Sequence, residues 1–129
     1  SLEPISFSKA KGKSFRNIST AKISSACDFS KEALFVQQDM GRCEAAVLSW
    51  AAGKSHSFKS DDREETLYIL SGSGAITVEN KTTQIEHGHV IFIPGGTGWS
   101  VKAGDAGLTC LTLGTVLTSE KSDVLVNSR

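Results

Sequence analysis

The side chains best able to do chemistry are concentrated in the run SHSFKSDDREE, from Ser55 to Glu65. His56 offers an imidazole nitrogen, and Asp61, Glu64 and Glu65 offer carboxylate oxygens, donor types that hold a first-row divalent ion. The plainer expectation for His56 is a solvent-exposed loop side chain. His87 and His89 flank Gly88 ahead of an apolar stretch. They read as surface residues, although a His-x-His pair at a strand end can take up adventitious metal. Cys27, Cys43 and Cys110 lack Cys-x-x-Cys spacing, which fits reduced thiols used in packing better than a disulfide framework. Cys43 and Cys110 stand among apolar neighbours and would need an adjacent base to act as nucleophiles. The chain has no Gly-x-Ser-x-Gly elbow, no phosphate loop, no dinucleotide fingerprint after a strand and no His-Glu-x-x-His. Gly72, Gly74, Gly95, Gly96 and Gly98 precede no helix whose N-terminus would receive an anion, so they read as turn glycines.

The elements that must position these groups are strands. From Ala33 onward, short apolar stretches alternate with Gly, Ser, Asn and Asp. Strands are expected at Ala33–Gln37, Cys43–Trp50, Thr66–Leu70, Gly74–Glu79, Thr82–Glu86, Val90–Ile93, Gly98–Lys102 and Leu108–Leu117, with a short helical turn within Ala21–Ala33. Evenly spaced strands without intervening helices imply an all-β sandwich or closed barrel, which leaves few exposed edges. Side chains alternate along the Glu65 strand: Glu65, Leu67 and Ile69 share one face, and Thr66, Tyr68 and Leu70 the other.

Size and charge narrow the function. A chain of 129 residues with 39% hydrophobic residues is enough for one globular domain and one core. Fourteen Lys plus Arg balance fourteen Asp plus Glu, so no global basic field favours nucleic acid or anionic lipid. No apolar run approaches the roughly 18 to 20 residues of a membrane span. No apolar leader segment opens the chain, so a cytoplasmic location is expected, although Ser1 stands where an initiator Met would and leaves a removed signal open. Lys9, Lys11, Lys13, Arg16 and Lys22 against a single Glu3 mark a basic N-terminal arm, read as a solvated extension that folds over the domain or a neighbour.

Two segments carry a resemblance. GKSHSFKSDDREETLYILSG runs from Gly53 to Gly72, and GHVIFIPGGTGWSVKA from Gly88 to Ala103. They resemble the two cupin motifs, with Gly53, Glu65 and Gly72 on the frame of the first and Gly88, Pro94 and Gly96 on that of the second. The resemblance covers about residues 42 to 117 and implies an all-β cupin double-stranded β-helix, a jelly-roll barrel. It divides the chain into an N-terminal arm at 1–33 that adds a strand or packs on a partner, a barrel at 34–118 and a tail at 119–129. In size, in its Glu65 strand and in its Phe-Ile-Pro corner, the chain is also similar to the small ethanolamine-utilisation EutQ-like cupins that lack the metal histidines. That likeness implies a microcompartment-linked metabolic role and acyl-phosphate chemistry. A homodimer is expected by the same resemblance.

In metal-binding cupins, two His and the Glu of the first motif and the His of the second hold a divalent ion. By position these become Lys59, Asp61, Glu65 and Trp99, and the closing Asn becomes Ala103. An ammonium has no free lone pair and repels a cation, and an indole has no usable donor atom. The resemblance thus implies loss of the usual metal site and no cofactor, with a divalent ion held by His56, Asp61 and Glu65 as the minority alternative. If the four positions face one another, they form a site for a small polar metabolite. Lys59 and Glu65 would be the catalytic pair, Lys59 neutralising a ligand carboxylate or phosphate and Glu65 taking a proton. Asp61, Trp99 and His56 would bind substrate, Trp99 by stacking. The rival is a non-catalytic assembly or regulatory module, its interior locked by a Lys59 to Glu65 or Asp61 ion pair with Trp99 filling the vacated volume.

Overall fold

The computed structural model describes residues 7–18 and 28–117. Within them the elements run β1 (Phe29–Phe35), α1 (Gln37–Met40), β2 (Cys43–Trp50), β3 (Ser55–Phe58), β4 (Arg63–Val78), β5 (Lys81–Glu86), β6 (Val90–Ile93) and β7 (Trp99–Val116). The two long strands, β4 and β7, lie antiparallel from the Arg63–Val116 pair to the Val78–Trp99 pair, and each is shared between two leaves. The first leaf, in the order β1-β2-β7-β4-β6, uses residues 108–116 of β7 and 63–72 of β4. The second, in the order β3-β7-β4-β5, uses residues 99–103 and 73–78.

Both long strands bend where they pass from leaf to leaf, and the bend explains two glycines. Gly72 has φ +81°, and a Cβ there would lie 2.1 Å from the Gly107 carbonyl oxygen. A Cβ on Gly74 would lie 2.4 Å from the Lys102 carbonyl oxygen. Only glycine lets the two backbones approach this closely. The Ser71–Gly74 segment, expected as a turn between two strands, is therefore a bend within one continuous strand, with register slips at 69/71 and 72/74. The expected strands at Gly98–Lys102 and Leu108–Leu117 are likewise joined into β7.

The leaves enclose the core. Leu67, Ile69 and Cys110 of the first leaf pack against Ile76, Ile85 and Val101 of the second. Along the side where β1 and β3 form the free edges, aromatic side chains close the seam. Phe29 of β1 stands 4.6 Å, ring centre to ring centre, from His56 and 5.7 Å from Phe58, both on β3.

Three local expectations shift. The first strand begins at Phe29 rather than Ala33, because Phe29 and Lys31 continue the β2 ladder as far as Trp50; part of the segment read as arm is thus barrel sheet. β3 was not expected: its Ser-His-Ser-Phe sequence lacks apolar alternation, and it is held as an edge strand by β7 alone. Residues 29–33 of the segment expected to hold a helical turn belong to β1, residues 21–27 fall outside the described residues, and α1 follows β1 where strand was expected to continue. Residues 7–18 of the arm fold back on their own domain. The Arg16 guanidinium donates to the Ala33 and Leu34 carbonyls at 3.2 and 2.9 Å, and the Lys13 N–H donates to Asp39 Oδ1 at 2.9 Å. Among the described residues no helix is long and apolar enough to cross a membrane.

Candidate functional site

Alternation on β4 turns Arg63, Glu65, Leu67 and Ile69 toward the interior. Leu67 and Ile69 are fully buried, whereas Arg63 and Glu65 are half-buried near one end of the barrel. There the interior opens into two cavities that share Lys31, Glu65 and Thr112. The larger, 220 Å³, is lined by Phe29, Phe58 and Trp99 and by Lys31, Lys59, Arg63 and Glu65. The smaller, 150 Å³, is lined by Ala33, Phe35, Ala46 and Gly114 together with Glu44 and Lys31.

Each side chain is held by a traceable device. Glu65 Oε1 accepts a hydrogen bond from the Thr112 hydroxyl at 2.6 Å. Gly114 makes room for the carboxylate: a Cβ there would lie 2.9 Å from Glu65 Oε2. Trp99 is buried and stacks on Phe58, with ring centres 4.4 Å apart and planes at 21°. Lys59 is exposed at the cavity rim, on a loop pinned by the Gly96 N–H donating to the Ser60 carbonyl and the Leu117 N–H donating to the Asp62 carbonyl, at 2.9 and 2.8 Å. Arg63 forms a close ion pair with Glu44 and a second, at 3.8 Å, with Asp62.

Of the five residues expected to form the site, Lys59, Glu65 and Trp99 are brought together around the larger cavity. Asp61 is exposed in the loop and lines neither cavity. His56 is an exposed residue of β3 whose ring packs on Phe29 at the seam. Glu64 turns to the outer face, as alternation with Glu65 requires. None of the ion pairs among the described residues links Lys59 to Glu65 or Asp61. His89 is engaged locally, its Nδ1 accepting from the Glu86 N–H at 3.1 Å. Cys43 and Cys110 are free thiols, and burial pushes the Cys110 thiol up to about 12. Cys27 lies outside the described residues.

Sequence reading missed Lys31, Arg63, Phe58 and Thr112. Arg63 and Phe58 carried a local signal, since each stands two residues from a member of the expected set, Glu65 and His56, in the same strand. Lys31 and Thr112 reach Glu65 only through pairing across β1, β2, β7 and β4. Among the described residues, no group of three or more His, Cys, Asp or Glu side chains is placed to hold a metal ion.

The fold has counterparts among known proteins. The Cnp3 cupin domain of Schizosaccharomyces pombe superimposes with a TM-score of 0.72 at 20% identity, covering 87% of this chain and 78% of that one. A predicted oxalate decarboxylase from Thermotoga maritima gives 0.64 at 23% identity, covering 69% and 81%. The EutQ protein of Clostridium difficile gives 0.61 at 14% identity, covering 78% and 73%. An uncharacterised protein of Streptomyces coelicolor is 40% identical over 45 residues, 35% of this chain and 43% of that protein, so the match spans less than half of the relative's length. The family model described as a cupin domain matches residues 46–113. That match takes in more than half of the sequence, and this chain belongs to the cupin family.

Proposed function

We propose that the open end of the barrel binds a small anionic metabolite without a metal ion. The observation that carries this reading is the 220 Å³ cavity beside Glu65, lined by Lys31, Lys59 and Arg63 together with Phe29, Phe58 and Trp99. Cations in the lining recognise a carboxylate or phosphate, and the aromatic rings accept the planar or apolar remainder of the molecule. Glu65, already accepting from Thr112, has lone pairs left for a ligand hydroxyl or amine and is the group placed to take a proton if the ligand is turned over.

The donor set argues against the family's divalent ion. Of the four positions that hold metal in other cupins, only Glu65 brings a donor to this cavity, and Lys31 and Lys59 beside it would repel a divalent ion. The same cavity weighs against the locked-module alternative, in which an internal ion pair and Trp99 would fill the space.

Two measurements test the reading. Metal analysis on protein purified without a histidine tag, paired with thermal shift against divalent ions, should give neither stoichiometric metal nor a raised melting temperature; both together would sink it. A thermal-shift panel of small carboxylates and phosphates comes next, with oxalate first because a fold relative is a predicted oxalate decarboxylase. A stabilising anion should lose affinity about tenfold or more in Lys59→Ala, equivalent to about 1.4 kcal/mol. An anion that binds the variant equally well would place recognition elsewhere.

A further inference from the structure

The ionised side chains around the two cavities do not balance one another. Five of them line the open end of the barrel: Lys31, Glu44, Lys59, Arg63 and Glu65. Glu44 and Arg63 neutralise each other in a close ion pair, and Arg63 has Asp62 as a second partner. None of the ion pairs among the described residues includes Lys31, Lys59 or Glu65. Two cations and one carboxylate therefore line a single cavity without closing on each other. The two lysines are exposed, and water suffices for them. Glu65 is half-buried, and its oxygens are unequally served. Oε1 accepts from the Thr112 hydroxyl at 2.6 Å. Oε2 receives no hydrogen bond from the described residues, yet it is not sealed from solvent. Gly114 keeps the space beside it clear, since a Cβ there would lie 2.9 Å from Oε2. A half-buried carboxylate oxygen with open space beside it is an unused acceptor, and a charged donor bonds it about twice as strongly as a neutral one.

We infer that the ligand of this site is a compact amino acid, its ammonium bound by Glu65 Oε2 and its carboxylate by Lys31 and Lys59, a narrower statement of the anion-binding reading, on which it rests. A simple anion would satisfy the lysines but leave Oε2 unserved and set a second negative charge near Glu65. A simple amine would do the reverse, pairing with Glu65 while the lysines repel it. A zwitterion meets both demands at once. Leu48, Phe29, Phe58 and Trp99 in the same lining suit an amino-acid side chain. Size agrees, because 220 Å³ exceeds the about 150 Å³ that admits a benzene ring. Glu65 thereby selects amino acids over other anions, a role separate from taking up a proton.

The test is titration calorimetry on the full chain with matched ligands. A thermal-shift panel of glycine, L-serine, L-aspartate, L-leucine and L-phenylalanine, each with its deaminated acid, selects the carbon skeleton that binds. The amino acid of that skeleton is then titrated beside its deaminated acid and its 2-hydroxy acid. In wild type the amino acid should bind about tenfold or more tightly than either analogue, the difference expected for one charged hydrogen bond. In Glu65→Gln its preference over the deaminated acid should shrink to about threefold or less, because only a neutral acceptor remains. In Lys59→Ala all three ligands should weaken together. Analogues that bind wild type as tightly as the amino acid overturn the inference and leave the anion-binding reading standing. A preference that survives in Glu65→Gln does the same. If neither amino acids nor deaminated acids bind, both fall. Should Glu65→Gln misfold, the wild-type comparison with the 2-hydroxy acid decides alone, since that analogue replaces the ammonium with a neutral donor of nearly the same size: weaker binding supports the inference, and equal binding overturns it.

Discussion

The two ends of the barrel interior are made from the same strands and have opposite character. On β4, one inward step of two residues separates Glu65, half-buried and hydrogen-bonded, from Leu67, which is fully buried. On β7, one such step separates Thr112, whose hydroxyl donates to Glu65, from Cys110, which is also fully buried. The boundary between polar and dry is therefore sharp on both long strands and staggered between them, since Leu67, already dry on β4, pairs with Thr112, still polar on β7. The dry end accounts for the fold. A polar end that contributes less to stability, yet keeps cations, a carboxylate and an aromatic wall around open space, is what a binding site requires.

This contrast predicts its own largest effect. Leu67→Ala removes a fully buried side chain from the dry end and should cost about 2 to 5 kcal/mol in urea unfolding, through lost burial and the cavity left behind. A loss under about 1 kcal/mol would mean that the interior there is loosely packed and the boundary unreal. Cys110 probes the same end chemically. With its thiol pushed up to about 12, mainly by burial and further by the Glu65 charge, its thiolate fraction at pH 8 lies about a thousandfold below that of an ordinary thiol. Alkylation followed by mass spectrometry should find Cys110 protected while Cys43 reacts. Prompt labelling of Cys110 would show that water and reagent reach the supposedly dry end.

At the polar end, substitutions should separate stability from binding. Glu65→Gln keeps the shape and a partner for the Thr112 hydroxyl, so it should cost no more than about 1 kcal/mol. It should still change affinity for whichever anion the thermal-shift panel identifies. Gly114→Ala sharpens the point, because the new Cβ would crowd Glu65 Oε2 at 2.9 Å and displace a flexible carboxylate rather than backbone. If either variant unfolds the protein as severely as Leu67→Ala does, the polar end is a structural crosslink and the contrast collapses.

How far this contrast could be read beforehand depends on sequence distance. The inward face of the Glu65 strand follows from alternation over three residues, and so does the assignment of Thr66 and Tyr68 to the outer surface. The cupin motifs point to Lys59 and Trp99 near Glu65 because each lies within a short motif framed by its own glycines. Asp61 fails for a local reason: it lies in a loop that does not follow strand alternation, and its neighbour Asp62 takes the ordered role, accepting from the Ser60 hydroxyl and pairing with Arg63. Lys31 was out of reach in principle. It meets Glu65 through the register of β1 on β2 and of β2 on β7, and no spacing within the chain encodes that register. The Ser71–Gly74 segment misleads in the opposite direction, since glycines that permit a turn also permit two backbones to touch.

The smallest effect concerns the arm, which is tied beside the polar end and leaves the dry end untouched. Asp39 accepts hydrogen bonds from the Lys13 and Val36 N–H groups, at 2.9 and 3.0 Å, and the bond from Lys13 is the main reason its carboxyl sits below the ordinary value of 3.8. A carboxylate whose folded pKa is depressed stabilises the folded state above its unfolded pKa and loses that contribution as pH falls through the folded value. The tie between arm and domain should accordingly be complete above pH 3.8 and weaken only below it. Asp39→Asn, which keeps the shape but removes the charge, should loosen the arm at neutral pH. Limited proteolysis of residues 7–18 offers the readout. Faster cleavage in Asp39→Asn at pH 7, with wild type resistant at both pH 7 and pH 5, would place the arm's anchor at Asp39. Equal cleavage of the two would shift that role to Arg16 and its bonds to the Ala33 and Leu34 carbonyls.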